Sequence, residues 1–300
     1  MEKRLDRKRR CTSAGDVAFN LCNGVIMFFL MFVTVYPLYY VLCASFSNNV
    51  ELLAHPGALW YPRGFNWGAY RLAFTHPLLL SGYRNILIVL AVSLPLNIVL
   101  TLFCGYFLSS KNVFFKKPIL AIIMFTMFFS GGMIPGYLNI RDLGLYDSLW
   151  SLILPGAMSV YNAIICKTAI DAVPDSLIES AYIDGANDIV IIFRIVFPLI
   201  MPTVAVLLLY YGVGHWNSWF PASLYIESNY NLPIQNVMRA ILIANSNILN
   251  SAATENDKVN DFAETIKYSA IVITTVPVLC IYPFLQKYFV KGVMIGAVKG

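Results

Sequence analysis

Six stretches of this 300-residue sequence stay apolar for about 20 residues or more: 17–45, 83–108, 118–138, 148–170, 199–220 and 266–287. A bilayer hydrocarbon core is about 30 Å thick, so a helix needs roughly 20 apolar residues to cross it. Bare backbone polar groups are too costly in hydrocarbon, so each stretch is expected to be helical. The charged share, 12%, is about half that of a soluble domain. A mean hydropathy of +0.67 shows that apolar residues are not confined to one core. The expected fold is therefore all-α: a polytopic membrane helix bundle with six transmembrane helices.

Several of these stretches carry helix breakers. Pro95 lies in the second and Pro155 early in the fourth; Pro277 and Pro283 lie in the sixth. Gly131, Gly132 and Pro135 fall near the far end of the third. Neighbouring helices can re-satisfy the freed carbonyls, so breakers are tolerated in membrane bundles. They fit kinked helices around a cavity, or simple irregularity of packing.

Residues 1–16 form a basic tail with Lys3, Arg4, Arg7, Lys8, Arg9 and Arg10. The apolar stretch after it is too long for a signal peptide and has no small-residue cleavage site, so it reads as a retained span. With the tail in the cytoplasm, the inner segments also collect Lys111, Lys116, Lys117, Lys167, Arg194, Lys287, Lys291 and Lys299. The outer loops then hold only Arg63, Arg71, Arg84, Arg141, Arg239, Lys258 and Lys267. That asymmetry places both termini in the cytoplasm and makes the protein multi-pass. Beside a span, the basic run reads as an anchor on membrane lipid; no nucleic-acid partner is expected.

The six cysteines include no CxxC pair and read as reduced packing residues. The three histidines are scattered, and no metal site is expected. The outer loop 48–82 carries Trp60, Tyr61, Trp67 and Tyr70 as interface anchors. The loop 221–265 is acidic at Glu255, Asp257, Asp261 and Glu264. Within it, Ile234, Val237, Met238, Ile241 and Leu242 recur at helical spacing, which predicts an amphipathic helix lying on the outer surface or packing under a partner.

The loop 174–198 is not polar, although it lies on the basic side. Pro174 and Asp175 suit a helix start. Leu177, Ala181 and Ile178 make a short apolar stripe, with Glu179 and Asp184 on other faces. Gly185 ends this helix, and Asn187 or Asp188 can cap the next. Ile189, Ile192, Phe193 and Val196 continue an apolar face, and Pro198 and Pro202 turn the chain into the fifth span. The pattern is a helix-turn-helix at the membrane surface with an apolar face that needs covering. Pattern alone does not separate a partner-docking surface from a connector resting on lipid.

The order Glu179-Ser180-Ala181, three residues, Gly185, nine residues, Ile195-Val196-Phe197-Pro198 resembles the EAA motif of binding-protein-dependent ABC importer permeases. Both spacings match; Ser180 stands for Ala and Phe197 for Leu. Further likeness runs through Phe129 to Pro135, Leu143-Gly144-Leu145, Trp216 to Trp219 and Pro283 to Gly292. These segments are similar to the smaller permease of the maltose-type carbohydrate (oligosaccharide) branch.

The resemblance implies a type I ABC importer permease fold over 17–300 that translocates a carbohydrate by alternating access. It implies a second, homologous permease subunit as heterodimer partner, two ATP-binding-cassette ATPase subunits and an extracytoplasmic solute-binding protein. It implies a coupling loop in which Glu179, Ser180, Ala181, Asp184, Gly185, Ile195 and Pro198 serve docking to the ATPase, with Gly185 letting the two short helices bend. Tyr161, Asn162, Tyr211, Trp216 and Asn217 are candidates for the substrate pathway.

The chain has no GxxxxGK[ST] loop, HExxH or GxSxG motif. It is read as a non-catalytic subunit with no cofactor of its own, ATP and Mg belonging to the partner ATPase. Competing readings are an ABC permease for a non-sugar solute such as peptide, and a secondary transporter. The latter usually needs an ionisable residue deep in a span, whereas Arg84, Lys167, Asp171, Arg194, Lys267 and Lys287 all sit at or near span ends.

Overall fold

The computed structural model describes residues 14–75, 77–111, 113–250 and 265–297, with side chains undescribed at 14, 244–250, 281, 282 and 284–297. The basic residues of the N-terminal tail, the acids at 255–264 and the side chains of the closing motif from Phe284 onward lie outside what is described.

In chain order the helices are α1 (Ala14–Ser45), α2 (Asn49–Ala54), α3 (Gly68–Thr75), α4 (Pro77–Ser109), α5 (Lys116–Phe128), α6 (Met133–Asp142), α7 (Trp150–Ile153) and α8 (Val160–Ile170). There follow α9 (Asp175–Ile183), α10 (Asp188–Leu199), α11 (Met201–Asn217), α12 (Phe220–Tyr225), α13 (Ile234–Asn250) and α14 (Thr265–Ala297). Two of them, Gly15–Ser45 and Pro77–Ser109, are long and apolar enough to cross a membrane alone; counting each of two bent pairs as one span makes four. Val160–Ile170 and Thr265–Cys280 are shorter apolar helices.

The described residues fall into two compact units, one within Met1–Tyr70 and Glu255–Val272, the other within Arg71–Thr254 and Ile273–Gly300. In the first, α1 keeps apolar side chains exposed around its circumference, as a helix solvated by lipid does. Its C-terminal half meets the following loop through aromatic rings. Phe32 and Tyr36 pack on Trp60, and the Tyr36 hydroxyl accepts from the Leu59 amide at 3.0 Å. Tyr70, expected at the interface, is instead buried and shares a 2.8 Å hydrogen bond with Ser45.

The second unit is built on α4. Gly82, Ile86, Val89, Ser93, Asn97, Thr101, Gly105 and Leu108 recur every three or four residues and are all buried. Small residues on this stripe let backbones approach closely. A Cβ at Gly82 would lie 3.1 Å from the Cα of Ile234, and one at Gly105 would lie 2.9 Å from the Cys166 sulfur. The first contact seats α13, whose Ile234, Val237, Met238 and Ile241 are buried. The amphipathic helix predicted there is present, but its apolar stripe packs on its own chain's α4.

Three apolar stretches differ from single straight spans. The third breaks into α5 and α6, which bend by 107°. Gly132 sits at the break with φ +90, a conformation open to glycine, and Pro135 follows in the first turn of α6. The fourth breaks between α7 and α8, around Pro155 and Gly156. The exposed break is served by α4: the Asn97 amide donates to the carbonyls of Gly156 at 2.8 Å and Ala157 at 2.9 Å. The Tyr211 hydroxyl accepts from the Ser159 amide at 2.9 Å. The fifth stretch begins at Met201 and ends at Asn217, after an 89° turn from α10.

Candidate docking site

Loop 171–200 lies where α4 and α8 end. Its core is shared with them: Ile98 and Leu102 of α4, Cys166 and Ile170 of α8, and Ala181, Ile191, Ile192, Val196 and Ile200 form one buried cluster. Burying these side chains stabilises by roughly 1.5–3 kcal/mol for each large one, which fixes the inner side of the loop.

Helix α9 follows Pro174, with Asp175 in its first turn where an acid suits the helix dipole. Ala181 is buried and Ile178 half-buried beneath it. The predicted stripe therefore splits, because Leu177 is exposed on the outer side with Glu179 and Ser180. Ile183, which the pattern reading left out, is 85% exposed. Its signal was present in the sequence, since it lies one turn beyond Glu179 and shares that outward face. The Ser180 hydroxyl bonds back to the Leu177 carbonyl at 3.1 Å.

The helix ends in a Schellman motif. The Ala186 amide donates to the Ala181 carbonyl at 2.9 Å and the Gly185 amide to the Tyr182 carbonyl at 3.0 Å. Gly185 has φ +80, and Asp184 is the exposed C-cap before it. Asn187, of the two candidates, is the next cap: its side chain accepts from the Val190 amide at 2.9 Å.

α10 corrects the predicted apolar face. Ile191, Ile192 and Val196 are buried, whereas Ile189 is 58% exposed and Phe193 is turned outward against Phe103. The reason is a π-helical turn over Ile191–Val196, which adds a residue per turn and shifts the 3.6-residue pattern. Pro198 explains the wide turn. It has no N–H to offer, and its ring would press on the carbonyl of Arg194 in a regular helix. Pro198 itself is exposed, and Ile195 is half-buried. Ile200 forms the corner at φ −96, ψ 14 before α11.

The end of α4 holds the loop by polar bonds as well. Lys111 pairs with Asp175 at 2.5 Å. Ser109 donates to Asp171 at 2.6 Å, and Lys167 pairs with the other oxygen of the same carboxylate. Tyr106 donates to Asp188 at 3.1 Å and lies 3.0 Å from the Tyr182 hydroxyl, which also donates to Asp188. Lys116 caps the carbonyls of Ser109 and Ser110.

The Asp175 carboxylate, through its hydrogen bond and charge, raises the pKa of Lys111. Burial pushes the Asp171 carboxyl up, but the bonds from Lys167 and Ser109 and the nearby lysine charges outweigh it and hold it below its usual value. Hydrogen bonding to Asp188 raises the Tyr182 hydroxyl.

Of the candidate pathway residues, Tyr161 and Asn162 lie on α8 and Tyr211, Trp216 and Asn217 on α11. Tyr211 is buried, with its hydroxyl shared between Thr101 at 2.8 Å and the Ser159 amide. Trp216 is buried and donates to the Thr274 carbonyl at 3.2 Å. Asn162 is buried on α8, while Tyr161 and Asn217 are exposed.

A family described as binding-protein-dependent transport system inner membrane component matches residues 85–295. The chain is 38% identical over 280 residues to the polygalacturonan/rhamnogalacturonan transport system permease protein YtcP of Bacillus subtilis, covering 93% of this chain and 97% of that one. It is 37% identical to the protein LplC of the same organism, over 96% and 97% of the two chains. Among solved structures, a chain of a bacterial ABC transporter involved in the import of the acidic polysaccharide alginate superposes with a TM-score of 0.83. That chain is 26% identical, and the match covers 92% of this chain and 98% of that one.

Proposed function

The chain belongs to the family of binding-protein-dependent transport system inner membrane components, the ABC importer permeases, and from that premise we propose that it carries an acidic oligosaccharide across the membrane. The observation that carries the substrate class is the similarity at full length to a permease named for polygalacturonan and rhamnogalacturonan, together with the likeness to the alginate importer. All three names denote uronate-containing polymers. α9 docks on a separate ATPase through Leu177, Glu179, Ser180 and Ile183, with Asp184, Gly185, Ile195 and Pro198 shaping the segment. A surface helix exposing two large aliphatic side chains while its inner side is fixed in the bundle supports that reading.

The complete importer pairs this chain with a homologous permease above two ATPases, and an extracytoplasmic protein delivers the solute. The chain makes six crossings with both termini in the cytoplasm; α8 and α14 add to the four counted above. ATP and Mg act on the partner ATPase, and the role of this chain is to alternate between two cavity states.

The test is reconstitution of the full importer in proteoliposomes. Uptake of radiolabelled galacturonate oligosaccharides should exceed that of neutral oligosaccharides and of peptides. Uptake of peptides alone would overturn the carbohydrate reading.

A further inference from the structure

The two helices of the coupling loop meet at Gly185, where a glycine invites the reading of a flexible joint. The structure places a lock across that joint. Tyr182 is one turn before the bend and Asp188 is the first residue after the cap at Asn187. The Tyr182 hydroxyl donates to Asp188 Oδ1, so the carboxylate spans the turn from one helix to the other. Tyr106 of α4 makes the third corner, donating to the same oxygen at 3.1 Å and lying 3.0 Å from the Tyr182 hydroxyl.

We propose that Tyr106, Tyr182 and Asp188 hold the Gly185 elbow rigid and tie it to the end of α4, so that the docking helix, the elbow and α4 move as one body. Tyr106 and Asp188 are thus positioning residues for coupling. The inference rests on the reading of α9 as the docking helix.

Three further observations agree. The Schellman bonds at Gly185 fill both amide positions of the turn, so the left-handed glycine serves its shape. Asp188 sits in the first turn of α10, where the helix dipole also favours its charge. Asp175, at the far end of α9, is tied to Lys111 on the short stretch just beyond α4. Residues 106 and 111, on and just beyond the end of one transmembrane helix, therefore hold both ends of the docking segment. A hydrogen bond to a charged acceptor is stronger than a neutral one, which suits a device that must stay closed under load.

The experiment uses the assembled importer with its ATPases, its native cysteines replaced and spin labels at Phe107→Cys and Ile189→Cys. These sites flank Tyr106 and Asp188 and leave the triangle intact. The distance distribution is expected to be the same in the nucleotide-free and vanadate-trapped states, and to broaden when Asp188→Ala is added. A shift between the two states, or no broadening in Asp188→Ala, would overturn the proposal.

As a second measurement, Asp188→Ala and Tyr106→Phe should still co-purify with the ATPases, with galacturonate oligosaccharide moved per ATP falling by roughly threefold or more. Asp188→Asn, which keeps an acceptor oxygen but loses the charge, should recover only part of that loss. An unchanged transport-to-ATP ratio in Asp188→Ala would also sink the idea. Failure of the docking reading itself is separable, because it would appear as normal ATPase binding in variants of the outward face of α9.

Discussion

Gly105 of α4 faces Cys166 of α8 so closely that a methyl group at 105 would sit 2.9 Å from the cysteine sulfur and 3.2 Å from the Lys167 amide nitrogen. Gly105→Ala should therefore destabilise the second unit by about 1–3 kcal/mol, the usual cost of overpacking a tight contact. Thermal unfolding in detergent measures it. Cys166→Ala in the same chain removes the sulfur and should restore part of the loss; equal melting of Gly105→Ala and the parent would show that the helices can spread.

Asn97 carries the break in the fourth apolar stretch. Asn97→Leu keeps the volume but leaves the carbonyls of Gly156 and Ala157 and one nitrogen of His215 without this partner. The expected cost is about 1–3 kcal/mol, again read by unfolding in detergent. Asn97→Asp removes the amide donor and should not rescue it.

On the docking face, Ile183→Asp introduces a charge into the most exposed aliphatic position of α9. Affinity for the ATPase subunits should fall by about tenfold or more, as for a central interface anchor. Membrane insertion, followed by expression in the membrane fraction, should persist. Glu179→Ala should act in the same direction.

At the bend, Gly185→Ala forces an alanine to φ +80, a backbone that costs an L-residue about 1–2 kcal/mol. Asparagine tolerates that region better. Co-purification with the ATPases should rank the parent above Gly185→Asn and that above Gly185→Ala. A reversed order would mean that the left-handed turn is not needed.

Acid should loosen the start of the loop. The Asp171 carboxyl has a lowered pKa in the folded chain, so its tie to Lys167 and Ser109 contributes fully above about pH 4, the ordinary range of an aspartate, and is lost as pH falls through the lower folded value. A spin label at Ile183→Cys should grow more mobile below about pH 4. In Asp171→Asn it should already be more mobile than in the parent at neutral pH, so the further gain in acid should be smaller.

Much of this was legible in the sequence. A span within α4 followed from hydropathy, although the helix runs Pro77–Ser109 and not only over 83–108, and the elbow followed from Gly185 with Asn187 or Asp188 as the next cap. The register of α13 followed from Ile234, Val237, Met238 and Ile241. What escaped has physical reasons. Hydropathy reports that 118–138 is apolar but not in which direction it runs, so the 107° bend was hidden until Gly132 was seen at φ +90. The shift from Ile189 to Ile191 required knowing that Pro198 is accommodated by a wide turn. On α11, an apolar helix all round, nothing in the pattern tells an inward Tyr211 from an exposed Tyr210. Hence the pattern alone does not sort the pathway candidates by burial; Tyr211 and Trp216 are buried and hydrogen-bonded within the chain.

The corner at Ile200 joins α10 to α11 at 89°, with Ile200 itself only 4% exposed. Such a joint is a bell crank. At about 1.5 Å per residue the shorter arm is roughly 18 Å long and the longer roughly 25 Å. A sideways push of 1 Å on the short arm, about a fixed corner, becomes a lengthwise-to-lateral turn of the long arm of roughly 1.4 Å at its tip. The gain is small but greater than one, and the motion it delivers is perpendicular to α11, turned through about a right angle from the push.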